Sequence, residues 1–275
     1  MPGPQDHAEV ILAIDLGGTF IKSGLVHGGS VRPLPPVPSH ASGGVEEIAA
    51  ALGEVLAAAG DFAAVAVAAP GPFDYVKGIS FMRHKFPALY GQDLRAFFPR
   101  HEVRFVHDAG AFALGEFHGG ALRGCANCGA VTLGTGLGAA VLKDGTLLAL
   151  PNGMPQLEVS LWDRPMRGET VEHWVSAAAL TRGFPGTTAK ELGMMAKAGN
   201  AAAQEAFRQF GEALAEALAP WCACHRLARV AIGGQIARDL DLFSTPLRDL
   251  PVVAAQCPDH AALLGAASLF RPSNS

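Results

Sequence analysis

Asp15-Leu16-Gly17-Gly18-Thr19 runs straight off the apolar stretch Val10-Ile11-Leu12-Ala13-Ile14. A carboxylate at a strand end can anchor a hydrated cation, and two glycines beside a hydroxyl let bare backbone N–H groups approach a phosphate. Lys22 either adds a cation to this turn or points outward as an ordinary strand lysine. A second turn of the same kind stands in Val131-Thr132-Leu133-Gly134-Thr135-Gly136-Leu137-Gly138, where Gly134, Thr135 and Gly136 repeat the pattern. Two such turns make two candidate phosphate clamps. A third glycine element, Gly233-Gly234, follows Arg229-Val230-Ala231-Ile232 and precedes a helical stretch, so a flat base could pack on its backbone, or it is a plain tight turn. Asp108 ends the strand Val103–Val106 after His107; it is placed either to accept a proton from a hydroxyl or to cap the helix starting at Ala109. Asp15 has a similar alternative, a turn-forming residue that caps its own backbone.

The elements around these turns exclude two familiar nucleotide sites. Gly134-Thr135-Gly136-Leu137-Gly138-Ala139 fits the G-x-G-x-x-G/A dinucleotide fingerprint, but that fingerprint requires a helix after the glycines. Here Ala139–Leu142, the turn Lys143-Asp144-Gly145-Thr146 and Leu147–Leu150 read as a hairpin. The first site behaves likewise, since Phe20–Val26 alternates up to His27-Gly28-Gly29. Strand-turn-strand argues against a Rossmann fold, and no G-x-x-x-x-G-K-[ST] occurs.

With 275 residues, 49% of them hydrophobic, the chain can bury a large core in one or two domains. A formal net charge of -4 and no basic run interleaved with aromatics leave no footprint for nucleic acid. Met1–His7 lacks a signal-peptide pattern and no long apolar span occurs, so a cytoplasmic protein away from the membrane is expected. Five cysteines, as Cys125-x-x-Cys128, Cys222-x-Cys224 and Cys257, suit a reducing compartment. The first four could make an all-thiolate zinc site or serve as small buried hydrophobes, the latter favoured because Cys222 and Cys224 fall in a helical stretch.

Residues 43–60 predict a helix with Val45, Ile48, Leu52, Val55, Leu56 and Ala59 on one face and Gly60 as its stop. Ala64–Ala68 predicts a buried strand ending at Pro70-Gly71-Pro72, and the proline-rich stretch 32–39 a surface loop. Thr188-Ala189-Lys190-Glu191 is a capping box, residues 200–218 an amphipathic helix, 251–255 a strand and 259–270 a helix. Trp162 and Trp174 read as core, and Arg83-His84-Lys85 as a solvated charge run. From Val131 the pattern of the opening restarts, as if one β-rich α/β unit occurred twice.

These motifs in this order resemble the ROK family (repressors, open reading frames, kinases) of the actin and hexokinase superfamily. Ile14–Lys22 is similar to its first phosphate motif, Leu133–Gly138 to its second and Ala231–Gly234 to its adenosine motif. Ala69-Pro70-Gly71-Pro72-Phe73-Asp74 resembles the loop at the edge of its sugar site, which brings in Gly71 and Asp74. The resemblance spans about residues 10 to 270. It implies an α/β fold of two actin-like (ribonuclease H-like) lobes with a cleft between them, the smaller made of residues 1–107 and 259–275 and the larger of residues 108–258. It implies phosphoryl transfer from ATP, with Mg²⁺ at Asp15, to the primary hydroxyl of a hexose, glucose or an epimer, and a homo-oligomer, a dimer. Asp15, Gly17, Gly18, Thr19, Lys22, Gly134, Thr135, Gly136, Gly233 and Gly234 would hold the nucleotide. Asp108 would be the general base.

The family carries Asn-Asp where this chain has His107-Asp108, and that asparagine meets a sugar hydroxyl. It carries Glu-x-Gly-His where this chain has Glu158-Val159-Ser160-Leu161, and a cysteine-rich zinc loop where residues 163–171 have no cysteine. Glu172 falls at the family's second sugar glutamate, so His107, Glu158 and Glu172 are candidate sugar ligands, the glutamates having solvated surface roles as alternatives. No stoichiometric zinc and an altered sugar preference are expected. N-acylated amino sugars, polyphosphate as donor, and a non-catalytic nucleotide- or sugar-binding protein stay open. A DNA-binding regulator is disfavoured, since only about ten residues precede the first strand and family repressors carry a helix-turn-helix there.

Overall fold

The computed structural model describes residues 9–271; the stretch Met1–His7 lies outside them. The chain divides into two units. In the first, β1 (Ile11–Leu16) and β2 (Phe20–His27) form the expected hairpin, with Asp15 opposite Lys22. β3 (Ser30–Pro33) and β4 (Val37–Pro38) both pair with β2. Half of the stretch expected as a loop is therefore sheet edge, where prolines cost no ladder bond and Val37 finds a place in the core. α1 (Val45–Ala59) buries Ile48, Ala51, Leu52, Val55 and Ala59, and the Glu47 carboxylate accepts from Gly44 N–H at its start. β5 (Ala64–Ala69) then pairs parallel with β1; after the small hairpin of β6 (Phe73–Asp74) and β7 (Ile79–Ser80), β8 (Glu102–His107) pairs parallel with β5. α2 (Asp108–Gly119) leaves directly from β8.

The second unit opens with β9 (Asn127–Leu133), β10 (Leu137–Lys143) and β11 (Thr146–Leu147); the strand expected over 147–150 ends early, and Leu150 is exposed. β12 (Pro165–Met166) and β13 (Glu169–Thr170) form a small ribbon before α3 (Val171–Trp174) and α4 (Ala177–Leu180). α5 (Ala189–Lys197) carries the predicted capping box, Thr188 with Glu191. α6 (Ala201–His225) runs past the predicted end and through Pro220, because Trp221 and Cys222 are buried and Trp221 Nε1–H donates to Val159 O at 3.1 Å. β14 (Arg229–Gly233) and β15 (Val252–Ala254) complete the sheet, and α7 (Ala261–Ala267) returns to the first unit.

The sheet orders are β3-β2-β1-β5-β8 and β11-β10-β9-β14-β15. Each is an antiparallel hairpin joined through its first strand to two parallel strands, so the repeat glimpsed in the turns is a repeat of topology. The boundary differs from the sequence expectation: α2 and residues 149–154 group with the first unit, which also takes the chain from Asp259 onward. The reason is a close helix crossing, in which Gly115 of α2 meets the Ala261 carbonyl and Gly265 of α7 meets the Ala111 carbonyl, with no room for a Cβ at either place. Among the described residues no helix is long and apolar enough to cross a membrane.

Candidate active site

In an open parallel sheet, ligands gather where the strands end. In the first unit Asp15 of β1 is in register with Ala68 of β5, and Ala69 with His107 of β8, so Asp15, Gly71, His107 and Asp108 fall along one carboxyl edge. Gly17 N–H donates to Asp15 O at 3.0 Å, closing the turn, and Ser39 N–H donates to Thr19 O at 3.0 Å. The N–H groups of Gly18 and Thr19 have no partner among the described residues, and both residues are exposed. Adjacent N–H groups without a protein partner can serve an oxyanion.

Asp15 is largely enclosed by protein. Burial and the neighbouring Asp108 push its carboxyl up to about 6, against a smaller lowering by Lys22, its cross-strand partner. A carboxylate so short of countercharge suits a hydrated divalent cation. Asp108 is the first residue of α2; its Oδ1 accepts from the adjacent Ala109 N–H at 2.7 Å, and the side chain stays 42% exposed. His107 Nε2 lies 3.3 Å from Asp108 Oδ1, while its buried Nδ1 has no partner.

Sequence reasoning missed Tyr75, whose buried hydroxyl donates to Ala69 O at 3.0 Å and whose ring meets the His107 ring edge-on at 6.0 Å. Burial and Asp108 raise its phenol well above the ordinary value. Its only sequence signal was an aromatic after the Pro-Gly-Pro loop, which reads as core. Gly71 lies between the Met154 and Tyr75 side chains, and Asp74 spends its carboxylate on the turn, accepting from Val76 and Lys77 N–H at 3.2 and 2.8 Å.

The second unit's edge is built from backbone. Gly134 N–H donates to Gly136 O at 3.1 Å, leaving the N–H groups of Thr135 and Gly136 without a partner among the described residues. Gly233 pairs with Thr132 of β9, which sets the third glycine element beside the second turn. Gly234 has φ +92 and abuts the Leu133 backbone, a place only glycine fills. Beyond it the chain enters a 3₁₀ turn over Ile236–Leu242 in place of the expected regular helix; Asp239 leaves helical geometry and its carboxylate meets Lys197 Nζ at 2.5 Å.

Glu172, on α3, accepts through its Oε2 from Leu137 N–H at 2.8 Å and so joins the Gly-Thr-Gly turn. Glu158 is exposed, and its backbone carbonyl accepts from Arg164 Nη2 and His225 Nε2 at 2.5 and 2.7 Å. Leu161, at the family's histidine position, is buried core, and Ser160 Oγ donates to Asp163 at 3.0 Å. Trp162, expected as core, is 51% exposed because it stands on the loop outside the packed helices, whereas Trp174 packs against the core and its Nε1–H donates to Met166 O. Arg83 is exposed and lies over the Tyr90 ring. Burial raises the Cys128 thiol to about 12, and among the described residues no three His, Cys, Asp or Glu side chains group as metal ligands.

A sequence model of the ROK family matches residues 11–156, just over half the chain. This chain belongs to the ROK family. It is 28% identical to a glucokinase of Thermotoga maritima over 308 aligned residues, covering 95% of this chain and 97% of that protein. In structure it is similar to a ROK family glucokinase from Streptomyces griseus in complex with glucose and AMPPNP, with TM-score 0.81, 22% identity, and 94% and 98% of the two chains covered. It is also similar to an inorganic polyphosphate/ATP-glucomannokinase from an Arthrobacter strain, with TM-score 0.71, 24% identity, and 94% and 97% coverage. The two sheets are thus the two actin-like units of this fold.

Proposed function

We propose that this chain is a hexose kinase that transfers the terminal phosphoryl group of ATP to the primary hydroxyl of glucose or an epimer. Asp108 is the general base: it takes the hydroxyl proton as that oxygen bonds to the terminal phosphorus, and the bond from phosphorus to the β–γ bridging oxygen breaks to release ADP. The observation that carries this reading is the placement of Asp15, His107 and Asp108 on one carboxyl edge, with unpaired N–H groups beside Asp15. In the first unit Gly18 and Thr19 offer those N–H groups to phosphate oxygens and Lys22 adds charge; in the second, Thr135 and Gly136 do the same, and Gly233-Gly234 give the adenosine a close backbone surface. A Mg²⁺ ion held through water by Asp15 would neutralise charge between the β- and γ-phosphoryl oxygens. His107, 3.3 Å from Asp108, orients the base and replaces an amide that would have read a sugar hydroxyl, so the preferred hexose is shifted or tolerance widened. The protein acts as a homodimer, which light scattering checks.

The decisive experiment is a coupled assay of hexoses and acetamido sugars, each with ATP and with polyphosphate. A neutral hexose with ATP is expected to give the highest kcat/KM. An acetamido sugar or polyphosphate in first place replaces the substrate or the donor. If no sugar reacts with either donor while the folded protein still binds nucleotide, the kinase reading gives way to a binding protein.

A further inference from the structure

Glu172 is the candidate site residue whose side chain touches the Gly134–Leu137 turn. Its Oε2 accepts from Leu137 N–H at 2.8 Å, and a Cβ at Gly136 would stand 2.5 Å from the same oxygen. The carboxylate is therefore folded under the Gly134–Leu137 turn, filling the space that a side chain at 136 would need. The same short segment grips the other end of the turn, for Ala177 N–H donates to Gly134 O at 2.9 Å.

The segment is itself braced. Glu172 N–H donates to Trp162 O at 3.0 Å, Thr170 Oγ1 caps α3 by accepting from His173 N–H, and Ser176 Oγ caps α4 by accepting from Ala179 N–H. Trp174 Nε1–H donates to Met166 O at 3.1 Å, and Arg182 Nη2 donates to His173 O at 2.8 Å. A braced segment that holds both ends of a four-residue turn fixes where the free Thr135 and Gly136 N–H groups point. Backbone donors act on a phosphoryl group only when aimed before it arrives.

We infer that Glu172 is a positioning residue of the phosphoryl-donor turn, its carboxylate holding Leu137 N–H so that Thr135 and Gly136 present their N–H groups to the donor. This rests on the kinase reading for what the donor is, but not for the contact itself. A hydrogen-bond acceptor is what the contact requires, so a neutral amide at 172 can serve and an alkyl group cannot.

The test compares Glu172→Ala, Glu172→Gln, Gly136→Ala and the Gly136→Ala/Glu172→Ala double variant in steady-state kinetics with each substrate varied. Glu172→Ala is expected to raise the KM for the donor about fivefold or more, with Glu172→Gln returning most of the loss. Gly136→Ala, which pushes on the carboxylate, should resemble Glu172→Ala, and the double variant should be no worse than either single one. A raised sugar KM with an unchanged donor KM, or a Gln variant as impaired as Ala, overturns the inference. Amide hydrogen exchange over residues 134–140 in the ligand-free protein decides the contact without any activity. Faster exchange at Leu137 in Glu172→Ala supports it even if no sugar is phosphorylated, and unchanged exchange refutes it.

Discussion

At the carboxyl edge of the first sheet stand Asp15, His107 and Asp108, while the matching edge of the second carries Gly134, Thr135, Gly136, Gly233 and Gly234. The strand orders are the same, so the difference is not one of scaffold. The first edge concentrates titratable groups until burial and mutual repulsion push Asp15 to about 6, whereas the second has almost no side chain at its turn and keeps its one carboxylate, Glu172, tied to Leu137 N–H. Under the proposed function, the first copy of the unit would add a base and a cation ligand to its free N–H groups, while the second would act through backbone N–H groups alone. Duplicated topology thus divides labour through the residues at its strand ends.

The largest expected effect breaks the comparison at the first edge. Asp108→Asn keeps an oxygen able to accept from Ala109 N–H but removes the proposed base, so kcat should fall on the order of a hundredfold or more with the sugar KM within a few-fold. Near-normal turnover would remove the functional asymmetry between the two edges.

At the second edge Gly234→Ala should cost about 1–3 kcal/mol, since it forces a Cβ into a left-handed residue against the Leu133 backbone. Thermal unfolding reads the loss, and weakened nucleotide binding should accompany it. An unchanged Tm would mean that the close approach there is dispensable.

Titration sharpens the contrast. Because the Asp15 carboxyl is raised from 3.8 to about 6, the folded chain binds more protons than the unfolded chain between those values. This group's contribution is therefore most favourable at low pH, declines as pH rises from about 4 to about 6, and stays at its unfavourable limit above that. Asp15→Asn should raise stability at pH 7 by about 1–3 kcal/mol, flatten that part of the pH profile, and slow phosphoryl transfer. Denaturant unfolding at a series of pH values tests it; an unstabilised variant would show that Lys22 already compensates the charge.

The smallest effect is expected for Thr135→Val, a few-fold rise in the KM for the nucleotide with stability and its pH dependence unchanged. A pH-dependent defect there would erase the difference between the edges.

Much of this was legible in the chain itself. A carboxylate or a pair of glycines at the end of an apolar run is a local signal, because strand ends and tight turns are set by a few adjacent residues, and so Asp15, Gly17, Gly134 and Gly234 stood out. α1 and α5 were readable for the same reason, through periodicity and capping. Harder to read were Pro33 and Pro38, which join a sheet edge only because β2 offers one there, and Pro220, which a long helix tolerates because Trp221 and Cys222 are buried around it.

What the sequence determined by itself was the set of strand-end turns and their order, since each depends on neighbours within a few residues. Tertiary structure alone decided which distant residues meet. Tyr75 comes beside His107, Glu172 reaches Leu137, and α2 joins the first unit through Gly115 and Gly265. These pairings are separated by tens of residues or more, and no local propensity encodes them; they arise from burying two sheets' worth of apolar surface, which brings together whatever the strand ends and helix faces carry.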